Sequence, residues 1–145
     1  MKKLLTILLC SASVTLGLAQ QQTYFTNPVI HGDVADPSIM RIGETYYVTG
    51  TSSEWAPYYP VFTSSDLVNW KQTGHIFKEK PAWTKSSFWA PEWYYHNGKV
   101  YMYYTARKES DNISCIGVAV ADSPTGKFKD YGPIVEFGKE AIDAF

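Results

Sequence analysis

Three carboxylates open three stretches of this chain in a similar way: Asp36 in Ala35-Asp36-Pro37, Glu92 in Ala90-Pro91-Glu92 and Asp143 in Ala141-Ile142-Asp143. Carboxyl groups brought to one place can divide acid and base work between them when their surroundings push their pKa values apart. For Asp36 the local alternative is a turn, because Gly32-Asp33 and Asp36-Pro37 are turn dipeptides and a residue before proline is driven to extended backbone. Asp33, at an odd spacing from Asp36, falls on the other face of an extended strand and is expected to be a turn residue. His31, His75 and His96 have no metal-ligand spacing, so these residues give no metal site. His31 lies close enough to Asp36 in sequence to touch a ligand held there.

The elements that must carry these acids are strands. After residue 20 the chain has little helical periodicity and many short alternating or aromatic runs bounded by Gly, Asn, Asp and Pro, an all-β pattern. Strands are expected within 43–53, 58–70, 98–108 and 114–135, with a tight hairpin through Asn97-Gly98. The runs repeat: Gly43 and Gly98 stand 55 positions apart, as do Tyr46 and Tyr101, while Trp70 answers Phe128 and Gly74 answers Gly132. Units of this size, built from about four short strands each, describe propeller blades. An acid at the opening of each innermost strand would face the central axis, so Asp36, Glu92 and Asp143 are expected to converge there.

Composition narrows the field. The 145 residues are 45% hydrophobic and 19% charged, as in a folded domain, and a net charge of −1 gives no electrostatic case for nucleic acid. Aromatic residues make up 16%, with five Trp and eleven Tyr, which favours strands and supplies flat surfaces on which sugar rings stack. Phe88, Trp89 and Trp55 are the candidate platforms, and Trp70 is expected to pack between blades. Residues 1–19 have two lysines, an apolar run and Gly17-Leu18-Ala19, the form of a secretory signal peptide cleaved after Ala19. The run is too short to span a bilayer as a helix, and Leu9 makes a lipoprotein signal at Cys10 a weak alternative. Export to a periplasm or the exterior follows, with Cys115 left as a single thiol that cannot form an internal disulfide.

Taken in order, "NPVIHGDVADPSI", "GETYYVTGTSS", "TSSDLVNWKQTG", "FWAPEW", "GKVYMYYTA" and "EAIDAF" resemble the first half of a glycoside hydrolase family 43 catalytic domain. The resemblance covers essentially all of residues 24–145 and implies a five-bladed β-propeller, of which about two blades and the start of a third are present. It further implies inverting hydrolysis of arabinofuranosides or xylosides, with arabinose- or xylose-containing glycans as partners. Asp36 matches the family's general base. Asp143 matches the aspartate that orients the general acid and adjusts its pKa, although Ala144 stands where the family often has proline. Glu92 matches an acidic position that shapes the site. The general acid itself is a glutamate of a later blade, beyond Phe145. Some members carry a metal on the axis through later residues, and none is expected from the residues here.

Inversion needs two carboxyl groups about 6.5–9.5 Å apart, one ionised to activate water and one protonated to release the leaving group. A further carboxylate near the acid keeps it protonated, because adjacent like charges resist joint ionisation. Two other readings remain: a carbohydrate-binding module that uses the same aromatic platforms without hydrolysis, and a truncated product that does not fold alone. Two blades cannot close a ring, so self-association through open strand edges is also expected.

Overall fold

The computed structural model describes residues 24–144 and contains eight strands and no helix among them. The strands are β1 (Ser38–Ile42), β2 (Thr45–Thr49), β3 (Tyr58–Ser64), β4 (Lys71–Phe77), β5 (Thr84–His96), β6 (Lys99–Lys108), β7 (Ser114–Ala121) and β8 (Lys129–Val135). They form two antiparallel meanders in sequence order, β1-β2-β3-β4 and β5-β6-β7-β8, each with the form of one propeller blade. The signal-peptide segment, the Ala19 cleavage point and Cys10 lie outside the described residues.

Turn chemistry sets the register of both inner hairpins. Ile42 pairs with Thr45 across Gly43-Glu44, and His96 pairs with Lys99 across Asn97-Gly98, so equivalent ladder positions are 54 apart. In the first turn only Gly43 has positive φ (60°), whereas in the second both Asn97 (48°) and Gly98 (75°) do. These are the two kinds of two-residue hairpin loop that suit the strand twist, with glycine in the first central place of one and the second of the other. Matching glycine to glycine therefore gives a spacing one residue too long. The structural partner of Tyr101 is Tyr47, and that of Thr105 is Thr51. On the outer strands, by contrast, the correspondence of Trp70 with Phe128 and Gly74 with Gly132 agrees with the pairing of β3 with β4 and β7 with β8.

The core lies between the two sheets. Along β6 the alternate residues Val100, Met102, Tyr104 and Ala106 are fully buried, and they meet Tyr59, Val61, Ile76, Phe77 and Phe88. Aromatic rings dominate this interface: Tyr59 packs edge-on against Phe77, Phe88 and Tyr104, with centroids 5.7–6.2 Å apart. Tyr59 Oη donates to the Thr105 carbonyl (2.9 Å), so its phenol is satisfied at full burial, and desolvation pushes its pKa well up. Tyr104 Oη donates to Asp130 Oδ1 (2.6 Å) while Trp83 Nε1 donates to Oδ2 (3.0 Å), fixing β8 to the sheet interior. Gly117 leaves room for this arrangement, since a Cβ there would lie 2.6 Å from the Trp83 ring and 2.9 Å from Tyr104. Phe128 joins the core, but Trp70 is half-buried and its indole donates to the Leu67 carbonyl (2.9 Å), closing the 64–70 turn rather than filling an interblade space.

Candidate active site

The residues before β1, within β5 and after β8 are joined by a set of repeated contacts. Beyond β2, Thr51 N–H donates to the Ala35 carbonyl (2.9 Å), and Ser53 and Phe88 form an antiparallel bridge that ties the first sheet to β5. Thr51 Oγ1 accepts from the Ala90 N–H (2.8 Å) and donates to Asp36 Oδ2 (2.7 Å). One blade on, Thr105 Oγ1 accepts from the Asp143 N–H (3.0 Å). The three residues at these corners share a left-handed backbone: Asp36 at φ 47°, Ala90 at 35° and Asp143 at 57°. For residues with a Cβ this conformation is strained, and it persists where surrounding bonds over-determine it.

The equivalence corrects the expected ring of three acids. The corner that corresponds to Asp36 and Asp143 is Ala90, whereas Glu92 corresponds to Ser38, two residues past the corner. Successive corners therefore run carboxylate, methyl, carboxylate.

Glu92 shares the face of Trp89 through a bulge in β5. Trp89 pairs with Thr105 but Glu92 pairs with Tyr103, so β5 holds one extra residue between them, with the left-handed Ala90 as the bulge. Thr105 and Tyr103 share a face of β6, and cross-strand partners share a face, so Trp89 and Glu92 do as well. Glu92 is half-buried and lines a cleft of about 440 Å³ with Tyr94, Tyr103, Ile116 and Ala144, the last being the neighbour of Asp143.

The other candidates separate clearly. Phe88 is 1% exposed and stacks on Tyr58 with centroids 4.0 Å apart, so it is a core residue and cannot serve as a sugar platform. Trp89 is half-buried with the Arg107 guanidinium 5.8 Å from its ring, and Arg107 also pairs with Glu140 (2.7 Å). Trp55 is 79% exposed on the loop after Ser53, available to a ligand but apart from the corner contacts. His31 and Asp33 are exposed on the segment leading to Asp36. Among the described residues no group of three or more His, Cys, Asp or Glu could hold a metal ion. Thr51, Thr105 and Arg107 were not evident from the sequence; a 54-residue register would have matched the two threonines, but the glycine spacing paired Thr51 with Ala106 instead.

Residues 25–145 match the model of glycosyl hydrolases family 43. The chain belongs to that family. It is 34% identical over 116 residues to an extracellular exo-α-(1→5)-L-arabinofuranosidase of Cellvibrio japonicus, a match covering 72% of this chain and 32% of the relative. It is also 34% identical to an extracellular endo-α-(1→5)-L-arabinanase of Thermotoga petrophila, covering 84% and 27%. A β-xylosidase of Bacillus subtilis is 38% identical over 92 residues, covering 59% and 17%. Among solved structures, a thermostable family-43 glycoside hydrolase superimposes with a TM-score of 0.73 at 34% identity, over 84% of this chain and 40% of that one. The arabinanase of Cellvibrio cellulosa with arabinohexaose superimposes at 0.61, with 31% identity, over 73% and 36%. The chain thus spans about a third or less of the curated relatives it matches. Its two sheets are two successive blades of the family's five-bladed propeller, and Asp36 and Asp143 stand at family-43 blade corners.

Proposed function

We propose that these blades form part of an exported family-43 glycosidase that hydrolyses arabinofuranosyl or xylosyl linkages with inversion. Asp36 is the general base, Asp143 orients a general acid carried by another blade and keeps it protonated, and Trp89 and Glu92 contact the sugar. The observation that carries this reading is the setting of Asp36. Its Oδ2 accepts the Thr51 hydroxyl while the residue as a whole is exposed, which leaves the carboxylate accessible to a water. An ionised carboxylate of this kind can accept the water's proton as the oxygen attacks the anomeric carbon. Arabinan-degrading and xylose-releasing relatives support the substrate class, and extracellular relatives support export. No helix among the described residues is long and apolar enough to cross a membrane.

The test is proton NMR of the first sugar released by the complete enzyme from arabino- and xylo-oligosaccharides, with Asp36→Asn in parallel. Inverted anomeric configuration and loss of turnover in the variant, with retained oligosaccharide binding, are expected. A retained configuration would overturn the mechanism. Turnover by Asp36→Asn would overturn the base, and binding without turnover by the wild type would favour a carbohydrate-binding module.

A further inference from the structure

We infer that Thr51 is a positioning residue for catalysis, acting through Asp36; this rests on the assignment of Asp36 as base. The hydroxyl of Thr51 has two partners within hydrogen-bond distance, the Ala90 N–H at 2.8 Å and Asp36 Oδ2 at 2.7 Å. An amide N–H can only donate, so Oγ1 accepts there and its single proton is directed to the carboxylate. The polarity of the hydroxyl is therefore fixed by the backbone of the next blade. Oδ2 is held, and Oδ1 is the oxygen left for the reacting water.

Thr51 holds the same corner a second time, through its own N–H to the Ala35 carbonyl (2.9 Å). Backbone and side chain of the strained Asp36 corner are thus fixed by one residue, which is what a left-handed aspartate at φ 47° needs in order to keep one orientation. Thr105 separates this task from ordinary blade stitching. It makes the equivalent backbone contact, to the Asp143 N–H, but the corner of its own blade is Ala90 and offers no carboxylate. Both threonines make the stitch to the following corner; of the two, Thr51 alone also bonds a carboxylate, that of Asp36.

The experiment compares Thr51→Val and Thr51→Ser in the complete enzyme, by steady-state kinetics and by crystal structures of both variants. Valine keeps the shape and removes the hydroxyl. Its kcat is expected to fall about tenfold to a hundredfold, the scale of a catalytic group displaced by ~1 Å, with KM changed by less than about twofold. Serine is expected to restore kcat, and the Asp36 carboxylate should leave its wild-type pose only in the valine variant. Should valine prevent folding, Thr51→Ala replaces it in the same comparison. Unchanged kcat, a loss expressed through KM alone, failure of serine to rescue, or an unmoved carboxylate would each overturn the inference. If wild type and Asp36→Asn behave alike, the base assignment falls instead, and the pose of Asp36 in the variant structures still decides whether Thr51 positions it.

Discussion

Trp89 and Glu92 face the same side of β5 although three positions separate them, because the left-handed Ala90 inserts one extra residue between their partners Thr105 and Tyr103. In a regular strand an odd separation puts two side chains on opposite faces. The bulge puts an aromatic ring and a carboxylate from one short segment on one face.

The adjacent aromatics therefore give different phenotypes. With Trp89 as the proposed sugar contact, Trp89→Ala should raise KM for oligosaccharides several-fold with little change in thermal stability, since the ring is only half-buried. Phe88→Ala should destabilise the protein by about 3–5 kcal/mol, as expected for a deleted core phenylalanine, with KM unchanged in the fraction that folds. Parallel kinetics and thermal denaturation check both. A Phe88→Ala variant of wild-type stability and raised KM would reverse the assignment.

Asp66 supplies a pH signature away from the site. Its carboxylate accepts the backbone N–H and side-chain amide of Asn69 (both 2.7 Å), the Val68 N–H (2.9 Å) and the Ser64 hydroxyl (2.9 Å). These donors, the Asn69 backbone foremost, hold its pKa far below the ordinary 3.8. A depressed folded-state pKa stabilises the fold above the unfolded value and ceases to do so as pH falls toward the folded one. The difference in melting temperature between wild type and Asp66→Asn should therefore be widest above about pH 5 and narrow below about pH 4. A gap that is constant from pH 7 to pH 3 would remove the carboxylate from the explanation.

Cys115 is buried beside the Ala106 carbonyl, and burial, reinforced by the Glu136 carboxylate, pushes its thiol up to about 11. The thiolate is the reactive form, so at pH 8 the native protein should resist alkylation at this position. Mass mapping of the peptide containing Cys115 should show modification only after denaturation. Rapid labelling of the native protein would show that β7 opens readily.

The sequence made the blades legible and concealed the register. Alternation, aromatic content and nearby turn residues located β2, β3, β6, β7 and β8, although the β3/β4 and β7/β8 ladders each shift register. The longest strand, β5, was missed as a continuous element. Ser87 and Ala90 each adopt positive φ and shift its pairing, and Pro91 lies within it, so its 13 residues carry no clean period. Asp36 was legible through Asp-Pro and Asp143 through the repeated openings that end in an acid, but no local rule shows that Ala90 is their structural equal. Burial of Phe88 was hidden for a related reason: the bulge at Ser87 turns it inward, against Tyr58.

The open face of the second sheet leads to the last expectation. Tyr101, Tyr103, Val118 and Val120 are half-buried there, and Tyr131 and Ile134 are 59% and 51% exposed, beside β8, whose outer edge pairs with no described strand. At ~25 cal/mol per Å², a few hundred Å² of such surface amounts to several kcal/mol, comparable with the stability of a whole domain. An unpaired edge next to an apolar face is also a template for another chain. Residues 20–145 expressed alone should therefore associate, with a light-scattering mass above that of a monomer. Tyr131→Lys combined with Ile134→Lys places two charges on that face without touching the core and should shift the population toward the monomer. A monomeric mass with a cooperative thermal transition in the unsubstituted chain would show that two blades stand alone.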